Sequence, residues 1–395
     1  MKWRFRLGAV AGNTLEYYDI AVFTAISGYL SAEFAQQGYA QADSIVWGIF
    51  ALRFLTRPLG GYLIGHYADR VGRKAALILS SFITGVATLC MALLPVSILG
   101  YSAPLVVLLL QMTLSLSFGG ELATLTTYLY NDAADNERAR ISSLISGSAL
   151  IGVLASLLMV YMLERTLDPT SMQTFGWRIP LLFGIVNIAI SFWFRIKLPI
   201  QPPIDCHRHV NWLNVIQMVL TLAPSVTVFY AQNMSMSLIR ETLQIGNLKN
   251  VYAMLSTLLL LILMLLFGWL IDKHLTAAKG FRWGVFILII FTAPLYFLLS
   301  SNNLELVLLA QFLITANAAL IISCIQSVVA NIAQGHTATM GVGCNLAPSL
   351  FGGVAPLIIS ILLPYGLVYV GGYIALTGFT VLLSYFIFSR AKALN

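Results

Sequence analysis

Five charged side chains stand inside runs that are otherwise apolar: Glu16 and Asp19 in GNTLEYYDIAVF, Arg53 and Arg57 in FALRFLTRPLGG, and Glu121 in FGGELATL. A carboxyl group can exchange a proton when burial and neighbours allow it, whereas an arginine stays charged. The acids are therefore candidate proton carriers, and the arginines are fixed counter-charges. A guanidinium also offers a planar fork that matches a carboxylate, so Arg53 and Arg57 together favour an anionic ligand. The plain alternative is a set of structural ion pairs, Arg57 with Glu121 among them, with Arg53 balancing the extra acid.

The elements that hold these charges follow from composition. Of 395 residues, 59% are hydrophobic and 9% charged, and mean hydropathy is +0.86. A soluble domain is about 25% charged, so this is an integral membrane protein. A membrane-crossing helix needs roughly 20 mostly apolar residues. Twelve such stretches are present, at about 7–33, 45–67, 75–94, 104–130, 141–163, 177–194, 212–238, 250–271, 283–300, 304–330, 338–363 and 367–389. The longest polar stretch, RIKLPIQPPIDCHRHVN, lies at the midpoint. The expected architecture is all-α: a six-helix bundle over 1–194, a cytoplasmic linker over 195–211, and a second six-helix bundle over 212–395.

Most Lys and Arg residues fall at one set of helix ends: 2–6, 70–74, 138–140, 195–208, 273–282 and the C-terminus. Only Arg165, Arg178, Arg240 and Lys249 fall at the other ends. This is the positive-inside pattern and places both termini in the cytoplasm. The net charge of +7 thus reflects topology and not a nucleic-acid partner. The basic start MKWRFR leads into a long segment carrying carboxylates, which reads as a retained first helix. Cys90, Cys206, Cys324 and Cys344 are scattered, with neither disulfide-framework nor metal-knuckle spacing. The run DCHRH reads as solvated linker, with metal chelation as the alternative.

Helix rise gives depth. At about 1.5 Å per residue, Asp19 lies roughly 20 Å above Arg6, Glu16 roughly 15 Å, Arg57 roughly 18 Å above Asp69, and Glu121 roughly 16 Å above Asp132. The charges share one middle depth. Glu16 and Asp19 are three apart, Arg53 and Arg57 four apart, so each pair is expected on one helix face. A charge at the bilayer centre costs at least about 2.5–3.5 kcal/mol. The five are thus expected to face one another and a watery cavity. The second half carries amides and hydroxyls at that depth instead: Tyr230, Gln232, Asn233, Asn317, Gln326 and Asn345, candidates to orient a substrate or to join helices.

The loop GHYADRVGRK after the second stretch is echoed by GWLIDKHLTAAKG after the eighth; each has Gly-x-x-x-Asp and then a cation, with Asp69 and Asp272 in matching places. Parallel six-helix repeats are the plan of one transporter class. Gly65, Asp69, Arg70, Gly72, Arg73 and Lys74 resemble the loop signature of the major facilitator superfamily. GNTLEYYD, FLTRPLGG, FGGE and CNLAPSLFGGVAPLIISILL resemble first-, second-, fourth- and eleventh-helix segments of its metabolite:proton symporter family. The resemblance spans the chain. It implies carriage of small metabolites such as proline and betaine, shikimate, citrate or α-ketoglutarate together with protons. Departures are Tyr17 for Trp, Asn131 and Ala134 for Glu and Pro, Cys344 for Tyr, and a second loop without its Gly-Arg-Arg end.

The expected gate comprises Gly65, Asp69, Arg70, Gly72, Arg73 and Asp272, with Asp69 capping or pairing at a helix end and Arg70, Arg73 and Lys74 facing the inner leaflet. No phosphate-binding loop or nucleophile elbow marks an enzyme or a primary pump. No cofactor is expected; a proton gradient supplies the energy. The reading is proton-coupled import of a small organic acid or zwitterion by alternating access. It would occur in a bacterial inner membrane, with one chain sufficient as a monomer. The alternatives are a proton-driven exporter of a drug, cation or secreted chelator, in which Tyr17 and Tyr18 offer cation–π contacts, and a transporter-like sensor.

Overall fold

The computed structural model describes residues 3–131, 133–201, 209–243, 249–352 and 354–393. Its principal helices are α1 (Trp3–Gln36), α2 (Ala42–Arg53), α3 (Arg57–Val71), α4 (Arg73–Ala92), α5 (Ala103–Tyr130), α6 (Arg138–Thr166) and α7 (Ile179–Ile196). They continue with α8 (Trp212–Leu243), α9 (Lys249–His274), α10 (Ala277–Leu298), α11 (Leu304–Ala333), α12 (Thr337–Ala347), α13 (Val354–Leu362) and α14 (Leu367–Ala393). Among the described residues, ten helical spans are long and apolar enough to cross a membrane. The helices that carry Asp19, Arg53 and Arg57 are not among the ten. Large apolar side chains such as Leu55, Ile98 and Leu376 are exposed, as expected where lipid replaces water.

Two apolar stretches are broken helices. The stretch expected as one helix over 45–67 ends at Arg53, passes through a 3-10 turn, Phe54–Thr56, and restarts at Arg57. Pro58 accounts for the break: it has no N–H to continue the ladder from the preceding helix, and it sits in the first turn of α3, where none is needed. The Thr56 hydroxyl donates to the Arg53 carbonyl at 2.8 Å. Arg53 therefore closes one helix and Arg57 opens the next, and both guanidinium groups lie near the Phe54 ring. Between α12 and α13 the chain takes a π-helical turn, Pro348–Gly352. Here too a proline interrupts the regular ladder.

By backbone contacts the chain divides into two compact units: Met1–Leu129 with Ser148–Val210 and His336–Val342, and Tyr130–Gly147 with Asn211–Gly335 and Gly343–Asn395. In the first unit, Val22, Ile26, Leu30 and Phe34 recur every fourth residue of α1 and build one core with Val46, Ile49, Met91 and Trp177. In the second, α10 packs against α11 and α14, and α8 packs against the same two helices.

Candidate functional site

The first unit contains two buried arginine–carboxylate pairs, each joining different helices. In one, Arg53 Nη2 donates to Asp19 Oδ2 at 3.2 Å, and Arg53 Nη1 donates to Gln111 Oε1 of α5 at 2.5 Å. Arg53 is 1% exposed, Asp19 4% and Gln111 0%. The rings of Phe23, Phe50 and Phe54 surround the guanidinium, with centroids 6.0, 5.9 and 6.0 Å away. Aromatic faces attract a cation without neutralising it. Among the described residues, Asp19 is the one ionic partner of Arg53.

The other pair was not legible in sequence. Glu121 accepts from Arg195 Nη2, not from Arg57. Arg195 was expected as a linker cation; α7 runs on to Ile196, and the guanidinium turns back into the unit and is 1% exposed. Its Nη1 donates to the Leu77 carbonyl at 2.9 Å and to the Ser81 and Ser80 hydroxyls of α4. Gly12 of α1 makes the notch: a Cβ there would lie 1.8 Å from Arg195 Nη2. A single buried cation thus ties α1, α4, α5 and α7 together. Isolated buried charge is costly, so such a guanidinium requires this density of acceptors.

Other expected site residues are placed as follows. Arg57 is buried, with its guanidinium 5.6 Å from the Phe54 ring centroid. Tyr17 is half-buried. The Tyr18 hydroxyl donates to the Pro180 carbonyl at 2.8 Å and its ring sits against Phe183, so this side chain packs α1 on α7. The side chains of Glu16 and Asn233 lie outside the described residues.

The second unit gathers neutral groups. Gln232 Nε2 donates to the Thr315 hydroxyl at 3.0 Å and Gln311 Nε2 donates to Gln232 Oε1 at 3.3 Å. A small pocket beside them is lined by Gln232, Thr292, Tyr296 and Asn317 between Leu288 and Ile374. Asn317 Oδ1 and Gln326 Oε1 are buried and meet no hydrogen-bond donor among the described residues. Tyr230 packs against Gly352, where a Cβ would lie 2.6 Å from its ring. Asn345 is buried and its carbonyl accepts from the Ser349 hydroxyl at 2.8 Å.

The two Gly-x-x-x-Asp segments have the same geometry. Asp69 caps α12: Oδ1 accepts from the Thr337 N–H and Oδ2 from the Ala338 N–H, both at 3.0 Å. Gly65, one turn earlier, lets the helices touch, since a Cβ there would lie 2.7 Å from Ala338 Cα. In the second unit Asp272 caps α6, accepting from the Ala139 and Arg140 N–H groups at 2.8 Å each and from Arg140 Nε at 3.1 Å. Gly268 again makes the approach, with Ser143 Oγ 2.2 Å from where its Cβ would be. A carboxylate at a helix N-terminus satisfies orphan N–H groups and meets the positive end of the dipole. Gly72, with φ 122°, makes the turn from α3 to α4 that a Cβ would strain. Arg70 is exposed, but Arg73 is buried and donates to Gln201 Oε1 at 3.2 Å, so it does not face a leaflet as expected.

The model of the Major Facilitator Superfamily matches residues 10–342. The chain belongs to that superfamily. This facilitator is therefore a multi-pass membrane protein of a transporter family. It is 30% identical over 243 residues to a citrate-proton symporter of Klebsiella pneumoniae, covering 57% of this chain and 55% of that one. It is 34% identical over 194 residues to an alpha-ketoglutarate permease of Escherichia coli K12, covering 49% and 45%. The chain thus spans about half the length of these two curated relatives. A putative proline/betaine transporter of Staphylococcus haemolyticus is 25% identical over 97% of this chain and 87% of its own. The proton:xylose symporter XylE, solved with 6-bromo-6-deoxy-D-glucose, superposes with a TM-score of 0.73 at 15% identity, over 98% of this chain and 95% of that one. That likeness shows the fold.

Proposed function

We propose that this facilitator couples proton entry to import of a small organic acid or zwitterion, and that Asp19 with Arg53 is the coupling pair. The observation that carries this reading is a buried guanidinium whose one carboxylate partner among the described residues is a titratable Asp, ringed by phenylalanines and one neutral amide. A proton on Asp19 neutralises that partner, and Arg53 is left with charge to place. A substrate carboxylate replaces it with the same fork geometry. Release of the substrate on the inner side returns Arg53 to Asp19 as the proton leaves. The names of the citrate and alpha-ketoglutarate relatives support a carboxylate, and that of the proline/betaine relative a zwitterion.

In this reading Arg57, Tyr17, Tyr230, Asn233, Asn317, Gln326 and Asn345 contribute to the substrate path, and Glu16 and Glu121 contribute charge beside Asp19. The Asp69 and Asp272 caps, with Gly65, Arg70, Gly72 and Arg73, are gate contacts that break and re-form as the site changes sides. The charged helices α1 and α2–α3 also cross the bilayer, which makes twelve crossings with both termini in the cytoplasm of a bacterial inner membrane. One chain acts as a monomer, and the proton gradient supplies the energy without a cofactor.

The test is reconstitution in liposomes with an internal pH dye and an inward proton gradient. Carboxylates, betaines, amino acids and lipophilic cations are added outside one at a time. The expected result is that one carboxylate or zwitterion acidifies the lumen and that Asp19→Asn abolishes the signal. Alkalinisation by cations alone would mean proton-driven export and would sink the import reading.

A further inference from the structure

In the core of the second unit, several buried polar side chains meet at one place, and their neighbours do not satisfy them. Helix α10 packs against α11 and α14. Gly371 of α14 sets the closeness of that contact: a Cβ there would lie 2.7 Å from Tyr296 Cβ and 3.0 Å from the Thr292 carbonyl. Thr292 and Tyr296 are 4% and 3% exposed. Among the described residues, neither hydroxyl meets a hydrogen-bond partner. A threonine inside a helix commonly turns its hydroxyl to the carbonyl four residues back. Thr221 and Thr315 do so, at 2.7 and 2.8 Å. Thr292 does not. Among the described residues, no side-chain hydrogen bond ties α10 to α8, α11 or α14, so packing alone joins it to them.

The two hydroxyls line a cavity of about 10 Å3 together with Gln232 of α8 and Asn317 of α11. Asn317 is 8% exposed, and its Oδ1 meets no donor among the described residues. Leu288, Ile314 and Ile374 supply apolar wall. A buried acceptor and two buried hydroxyls without partners are each uncommon in a folded protein. One body that both donates and accepts satisfies all three. A water molecule takes roughly 10–15 Å3 of such space and needs about two to four polar partners. The cavity meets both terms. It is far too small for a metabolite, and no carboxylate lines it to offset the charge of a metal ion.

We propose that this cavity is the site of one structural water, held by Asn317 Oδ1 and by the hydroxyls of Thr292 and Tyr296, with Gln232 beside it. The water is then the polar tie between α10 and α11 that no direct side-chain bond provides. Asn317 gives it the oxygen, and its amide nitrogen stays available to the substrate path proposed above. The site lies within the second unit's own core and is filled whether or not substrate is present.

The first test is a structure of the full-length protein in lipid nanodiscs at a resolution that shows ordered water, without substrate and with potassium in place of sodium. One peak is expected within hydrogen-bond reach, about 2.5–3.2 Å, of Asn317 Oδ1 and of at least one of the two hydroxyls. No peak, direct contact of Asn317 with either hydroxyl, or a peak that forms only in sodium would overturn the proposal. The second test is the sign of a stability change. Tyr296→Phe removes a hydroxyl and little volume. If that hydroxyl holds a water, the thermal unfolding midpoint falls by about 2–4 °C, the shift that one hydrogen bond makes in a domain of this size. If it has no partner, the substitution relieves a buried unsatisfied group, and the midpoint rises or stays where it was. In an Asn317→Leu background, which displaces the water, Tyr296→Phe should no longer lower the midpoint. A fall of equal size in both backgrounds contradicts a shared water. Should Tyr296→Phe fail to fold, Thr292→Val carries the same test of sign. Neither readout involves transport, so the water site stands or falls apart from the coupling reading.

Discussion

Asp19–Arg53 and Glu121–Arg195 are the same chemical pair in the same unit, yet their surroundings differ in kind. Among the described residues, Arg53 has one carboxylate, one amide and three aromatic faces. Arg195 has one carboxylate, a backbone carbonyl and two serine hydroxyls, and it lies in a notch opened by Gly12. When its acid is neutralised, the first cation has little left that is negative, and the second keeps its oxygens. A guanidinium that depends on one acid is suited to exchange that acid for another anion. A guanidinium held from several helices is suited to fix them. On the proposed reading, the shell around a buried pair, more than the pair itself, divides coupling from architecture.

The comparison can be broken most forcefully at Arg195. Arg195→Leu leaves Glu121 buried without its cation and should destabilise the protein by about 3–5 kcal/mol. Thermal unfolding in detergent, followed by tryptophan fluorescence, measures this, and the double variant with Glu121→Leu should recover much of the loss. An Arg195→Leu protein as stable as the parent would mean that the pair is no strut. Next in size is Asp19→Asn, expected to fold but to lose at least about 100-fold of proton-driven uptake, equivalent to about 2.7 kcal/mol. What remains should no longer depend on outside pH, because the proposed proton site is gone. Uphill accumulation surviving in this variant would move the coupling role elsewhere.

Gly12→Ala sharpens the distinction at smaller cost. Its methyl must displace the Arg195 guanidinium, and overpacking of this kind costs about 1–3 kcal/mol. Stability should fall while the pH dependence of uptake keeps its shape; a displaced pH profile would show that the two pairs are coupled. The smallest effect is expected from Gln111→Leu, which removes one hydrogen bond to a charged group, worth about 1.5–3 kcal/mol at most and offset by apolar packing. Substrate affinity should change more than stability, because the amide aims Arg53. The reverse outcome would make Gln111 a packing residue.

The sequence by itself determined that the chain is a membrane-embedded helical protein, because its apolar runs match the length a bilayer demands and its charges are too few for a soluble surface. It also marked Asp19, Arg53 and Glu121 as buried charges and Asp69 and Asp272 as acids at equivalent helix ends. Spacing along one helix carries that much, since it sets depth and face. Partnership does not follow from spacing. Arg195 reads as a linker cation because it stands at the end of an apolar run, and only packing shows its long side chain folded back through the gap at Gly12. The single helix expected through Arg53 and Arg57 is interrupted by a 3-10 turn next to Pro58. Arg73 reads as a leaflet-facing charge until the chain after α7 is seen to cover it. Which helices become neighbours is decided by the tertiary structure, because side-chain fit and charge satisfaction are settled between segments far apart in the chain.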